Sequence, residues 1–86
     1  MKEKIEPIRK ILAENIKKYR KNFGYSLEIL AEKAGLSTQT LNDIEGCRRW
    51  LSAATITKLA MALHIAEYQL LIPEDKKTSR NLRDHL

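Results

Sequence analysis

The sequence predicts an all-α fold: five short helices in one domain, two of them joined as a helix-turn-helix. Three observations carry this. Apolar residues recur at three- and four-residue spacing along most of the 86 residues, the period of a helix face rather than of a strand. Val is absent while Ile and Leu are plentiful, which disfavours a sheet. The three Gly and two Pro suit a compact helical chain, and Gly35 lies between two segments that each begin with a Ser, a good N-cap.

The first helix is predicted from about Glu6 to Asn22. Pro7 fits its first turn, where the missing N–H costs nothing. Ile8, Ile11, Leu12, Ile16, Tyr19 and Phe23 form its apolar stripe, and Gly24 suits a left-handed cap. The second helix starts at Ser26, without a capping box because Ile29 stands where Glu or Gln would be. Its Leu27, Leu30, Ala31 and Ala34 share one face. The third helix starts at Ser37; Leu41 and Ile44 point inward, so Thr38, Gln39, Asn42 and Asp43 point outward. Residues 46–51 form a loop carrying Arg48, Arg49 and Trp50, with Trp50 expected to pack against the third or fourth helix. Ser52 caps the fourth helix, striped by Ile56, Leu59, Ala60 and Leu63. Ile65 to Ile72 holds a short fifth helix closed by Pro73. The domain is read as residues 1–73. A polar tail, 74–86, follows; from Thr78 it is either a short amphipathic helix or frayed chain.

A chain of this size is one domain with a small core. The single Cys47 forms no internal disulfide, which suits a reducing cytoplasm. No apolar run approaches the roughly 18 residues of a membrane span, and the charged N-terminus lacks the apolar stretch of a signal peptide. His64 and His85 have no metal-like spacing with Cys47 or with an acidic cluster, so no metal is expected. No Ser-His-Asp set, paired carboxylate or Gly-rich phosphate loop stands in a usable context, so neither an enzyme nor a cofactor is expected. The net charge is +5 and unevenly spread. Residues 1–22 carry eight basic groups against three acidic ones, 23–45 are net acidic, and 46–64 hold Arg48, Arg49 and Lys58 with no acid. Basic groups therefore flank the centre, which suits either a backbone-gripping rim around a base-reading helix or ordinary solvated helix faces.

Two short helices crossing over a Gly turn make a helix-turn-helix, whose second helix can enter a DNA major groove. Further segments match in order: Leu12, Ile16 and Arg20; Gly24 with Tyr25-Ser26; Leu30-Ala31; Gly35-Leu36-Ser37; Ile44-Glu45; and Leu59-Ala60, Ala62-Leu63 and Ile65. Over about residues 8–72 the chain resembles the XRE-type helix-turn-helix family, the class of phage Cro and lambda-type repressors. The resemblance implies a five-helix, lambda repressor-like cytoplasmic domain of bacteria or phages. It implies binding to double-stranded DNA as a homodimer, without metal or catalysis. It also implies an internal salt bridge between Arg20 and Glu45. Base readout falls to Thr38, Gln39 and Asn42, where Gln and Asn suit adenine N6 and N7 and Thr a thymine methyl. Phosphate contacts fall to Lys17, Ser26, Arg48 and Arg49. Ser37 and Thr40 join them at the N-terminus of the third helix.

The sequence departs from the family at several points. Leu27 stands where Gln often bonds a phosphate, and Ile29 replaces a usually polar residue. Asp43 brings negative charge to the reading helix; it can accept from cytosine N4 or simply weaken binding. Gly46 precedes the position that is more often Gly in the family, occupied here by Cys47. His64 replaces a common Gly, and His tolerates the left-handed region better than most residues. Tyr68, Leu70, Leu71 and Ile72 are more apolar than one face of a short helix can bury, which favours a dimer interface over simple closure of the core. The expected function is a sequence-specific transcriptional repressor working by occlusion. The alternatives are a protein-interaction module whose partner binds the apolar surface of the second helix, or the DNA-binding antitoxin of a toxin–antitoxin pair.

Overall fold

The computed structural model describes residues 6–73. Helix α1 spans Glu6–Asn22, α2 Leu27–Ala34, α3 Thr38–Glu45 and α4 Ala53–Ala62, and a 3-10 helix follows at Glu67–Leu71. The described residues hold no strand and no helix long and apolar enough to cross a membrane. The tail, with the short helix or frayed chain expected in it, lies outside the described residues.

Helices α2, α3 and α4 begin alike. Ser26, Ser37 and Ser52 sit in extended backbone, and each hydroxyl accepts the N–H three residues on: Ile29 N at 3.1 Å, Thr40 N at 3.0 Å and Thr55 N at 3.1 Å. Each satisfies one of the N–H groups that a helix start leaves without a partner. The helix ends also share one device. At the end of α2, Leu36 N donates to Ala31 O at 2.8 Å and Gly35 N to Glu32 O at 3.2 Å, with Gly35 at φ +72°. This paired closure around a left-handed residue is the Schellman motif. It recurs around Gly24, Cys47 and His64, whose φ values are +75°, +62° and +57°. All four α-helices thus stop by the same backbone geometry, twice at a residue carrying a Cβ.

Leu12 and Ile16 of α1, Leu30, Ala31 and Ala34 of α2, Leu41 and Ile44 of α3, and Leu59, Ala60 and Ala62 of α4 meet in one core. Leu51, Leu63 and Leu70 close it. Asn15 is the polar exception, 3% exposed within the α1 stripe. Its Nδ2 donates to Leu70 O at 2.8 Å and Ile72 O at 2.9 Å, docking the 3-10 helix onto α1 without leaving a buried donor unmet.

Three sequence-based expectations change. The fifth helix is 3-10 rather than α. Its N-cap is Ala66, whose side chain offers no acceptor, and Pro73 stands just beyond its end. A short segment confined in this way is typical of the tighter winding. Trp50 is 54% exposed, and the contact its ring makes is with α1, where the Arg9 guanidinium lies 5.5 Å from its centre. Neighbours in an extended stretch face opposite ways, and it is Leu51 that enters the core. The α1 stripe also opens at its ends, where Ile8 and Phe23 are exposed.

Among these features the left-handed His64 is open to a direct stability test. An L-residue there costs about 1–2 kcal/mol that Gly avoids, less the extra chain entropy of Gly. His64→Gly is expected to raise unfolding stability by about 0.5–1 kcal/mol, seen as a higher urea midpoint at unchanged m-value.

Candidate nucleic-acid interface

Helix α3 is divided sharply between its two faces. Leu41 and Ile44 are 0% and 1% exposed, while Thr38, Gln39 and Asn42 are exposed. The first turn of α3 carries no acid, so the positive end of its dipole is not offset. There the Ser37 hydroxyl also donates to Thr40 Oγ1 at 2.8 Å, so these two hydroxyls are fixed together. Lys17, Ser26 and Arg49 are exposed as well.

The orientation of α3 is set from α1. Arg20 donates from Nε to Glu45 Oε2 at 2.7 Å and from Nη2 to Glu45 Oε1 at 3.0 Å, a two-pronged pair. Its Nη1 donates to Tyr25 O at 2.9 Å. The side chains are 12% and 5% exposed, so the expected salt bridge is present and largely shielded from water. Beside it lies an open cleft of about 320 Å³, lined also by Lys17, Lys21, Leu27, Asn42, Gly46 and Arg48. The cleft brings together Lys17, Asn42 and Arg48, which the sequence had assigned separately. Lys21 is an addition to that set. Its signal was its place four residues after Lys17, hence on the same helix face. Leu27 packs against the core, which gives an internal reason for an apolar residue at that point. Ile29 is 43% exposed.

At the same C-terminal end of α3, Asp43 and Arg48 are paired. Asp43 Oδ1 accepts from Gln39 Nε2 at 3.0 Å and from Arg48 Nε at 3.3 Å, with the charged Arg48 Nη2 3.2 Å away. Arg48 Nη2 also donates to Asn42 O at 3.3 Å. The negative charge that Asp43 brings to the helix is therefore met by a guanidinium lying across the helix end. Gly46 makes this fit possible: a Cβ there would stand 2.8 Å from Arg48 Cζ and closer still to Nη1.

The apolar residues expected to pair two copies divide differently. Leu70 is 0% exposed and belongs to the core, because Asn15 draws its backbone onto α1. Tyr68 and Leu71 are 64% and 46% exposed, and Ile72 is partly covered.

Comparison with known proteins agrees with this geometry. The sequence profile of the Helix-turn-helix family matches residues 16–70. A Neisseria meningitidis serogroup B protein described as a hypothetical transcription factor is 36% identical over 72 residues, 84% of this chain and 68% of its own length. The crystal structure of the hypothetical transcription factor NHTF from Neisseria superposes with a TM-score of 0.81 at 36% identity, over 84% of this chain and 83% of that one. The restriction-modification controller protein C.AhdI from Aeromonas hydrophila gives a TM-score of 0.70 at 29% identity, over 77% of this chain and 97% of that one.

Removing one partner of a shielded ion pair strands the other charge, so Glu45→Ala is expected to cost about 3 kcal/mol. The double variant Arg20→Met with Glu45→Ala should lose less than Glu45→Ala alone. Urea unfolding of the variants tests both statements; equal losses would show that Arg20 is not stranded.

Proposed function

This chain belongs to the XRE-type helix-turn-helix family of DNA-binding transcriptional regulators, and on that premise we propose that it is a homodimeric repressor that reads DNA with α3. The observation that carries the reading is the outer face of α3. It bears short neutral hydrogen-bonding side chains, Thr38, Gln39 and Asn42, on a helix whose other face is buried to the last apolar residue. A major groove admits an α-helix, and amide side chains there match the donor–acceptor pair of adenine.

Around α3 the backbone contacts fall to Lys17, Ser26, Ser37, Thr40, Arg48 and Arg49, with Lys21 added from the cleft. Arg48 keeps Nε and Nη2 for Asp43 and Asn42 O and meets a phosphate through Nη1. These contacts set register and orientation; the exposed face of α3 supplies sequence preference. Tyr68, Leu71 and Ile72 join two copies about a two-fold axis, so that two α3 helices reach half-sites about 34 Å apart. Repression is by occupancy in the cytoplasm: no bond is made or broken, and neither metal nor cofactor takes part.

The test is selection of purified protein against random duplex DNA at two salt concentrations. Enrichment of a two-fold symmetric site, with affinity falling steeply as salt rises, is the expected result. Failure to enrich any sequence would remove the reading. On the selected site, Gln39→Ala should cost about 1–3 kcal/mol and relax one base-pair position per half-site, while Lys17→Ala should weaken all sequences alike.

A further inference from the structure

Asp43 is placed for a task other than contacting a base. Its Oδ1 is the meeting point of Gln39 Nε2 at 3.0 Å and of Arg48 through Nε and Nη2 at 3.3 and 3.2 Å. The Asp43 side chain is 23% exposed against 56% for Arg48, so the carboxylate is the more covered of the pair. Arg48 is itself fixed by Asn42 O at 3.3 Å and by the room that Gly46 leaves. The series runs from the loop after α3 back along the helix to its exposed amide.

A glutamine amide can be turned either way, presenting its N–H groups or its oxygen to a given neighbour. With Nε2 held on a carboxylate, which only accepts, the turn is decided. One Nε2 hydrogen is used within the helix; the other and Oε1 remain for a ligand. That remaining set, one donor and one acceptor, is what adenine N7 and N6 require, whereas guanine N7 and O6 require two donors.

We propose that Asp43 is a positioning residue for base readout: held by Arg48, it fixes the amide of Gln39 so that Gln39 prefers adenine over guanine. The inference rests on the DNA reading above and names what Gln39 reads. Arg48 has two parts in it, neutralising Asp43 and supplying a phosphate contact. Loss of Asp43 leaves the amide free to turn, so Gln39 can present Nε2 alone to guanine O6 or N7.

The experiment uses the full chain and the site enriched by wild type, with each base pair of the half-site replaced in turn. Binding is measured for wild type, Gln39→Ala, Asp43→Ala and the double variant, and unfolding is followed for each. The preference for adenine over guanine at the Gln39-dependent position is expected to fall about tenfold in Asp43→Ala, within the range of one bidentate base contact. In the double variant that preference should be no lower than in Gln39→Ala alone, because the two residues act as one unit. In the free chain, the Gln39 side-chain amide NMR signals should shift in Asp43→Ala. Relaxed preference at a different base pair, adding to the Gln39 effect, would make Asp43 a base reader and overturn the proposal. An equal loss on every sequence with preference intact would make it structural only, and also overturn it. A wild-type chain that enriches no site fails at the earlier step and takes both readings with it.

Discussion

The guanidinium of Arg20 is the constraint on which the placement of α3 depends. Helix α3 has eight residues, too few to hold a helix in water alone. Burial of Leu41 and Ile44 keeps it folded, but apolar contact has little directionality. Arg20 supplies the direction, holding both Glu45 oxygens and Tyr25 O from one rigid fork. Helix α1, the link into α2 and the end of α3 are thereby tied at one point. Such a pair gains little net stability once desolvation is counted; what it contributes here is angle. The cleft lies beside it, and the burial of Leu41 and Ile44 leaves the opposite face of α3 outward.

What was legible in the sequence was local. Ser26, Ser37 and Ser52 announce helix starts because their bonds reach only three residues on. Gly24 and Gly35 mark helix ends for the same reason. The periodic Leu, Ile and Ala positions then assign the inner faces. What was not legible depended on distant partners. Asn15 reads as an ordinary polar residue until Leu70 O, 55 residues away, is placed against it, and that contact makes Leu70 a core residue rather than a surface one. Trp50 and Leu51 are both apolar, and only the path of the loop decides which is taken inside. Asp43 and Arg48 were visible separately as a carboxylate and a cation near α3. That they are one group needed the helix end between them.

The residues after Glu45 show how that end is built. The left-handed position falls on Cys47, not on the adjacent Gly46, whose φ is −91°. A glycine at 47 would have been the less strained choice. The glycine at 46 instead leaves space: a Cβ there would stand within 3 Å of the Arg48 guanidinium, whose exposed end would have to move aside. Backbone ease at one residue has been exchanged for the placement of an arginine two residues on.

The same economy governs charge on α3. Its two acids, Asp43 and Glu45, both lie in its C-terminal half, where the helix dipole already disfavours them. Left alone they would repel a phosphate backbone as well. Each is met by an arginine from outside the helix, Glu45 by Arg20 and Asp43 by Arg48. Arginine suits both places because its planar fork can serve a carboxylate and a carbonyl at once, as Arg20 does with Tyr25 O and Arg48 with Asn42 O. Lysine would offer a point charge and no such shared geometry. The helix therefore has the charges of both its acids met within the protein. Hydroxyls and amides form its exposed face, so what that face offers a partner is the direction of hydrogen bonds and not net charge.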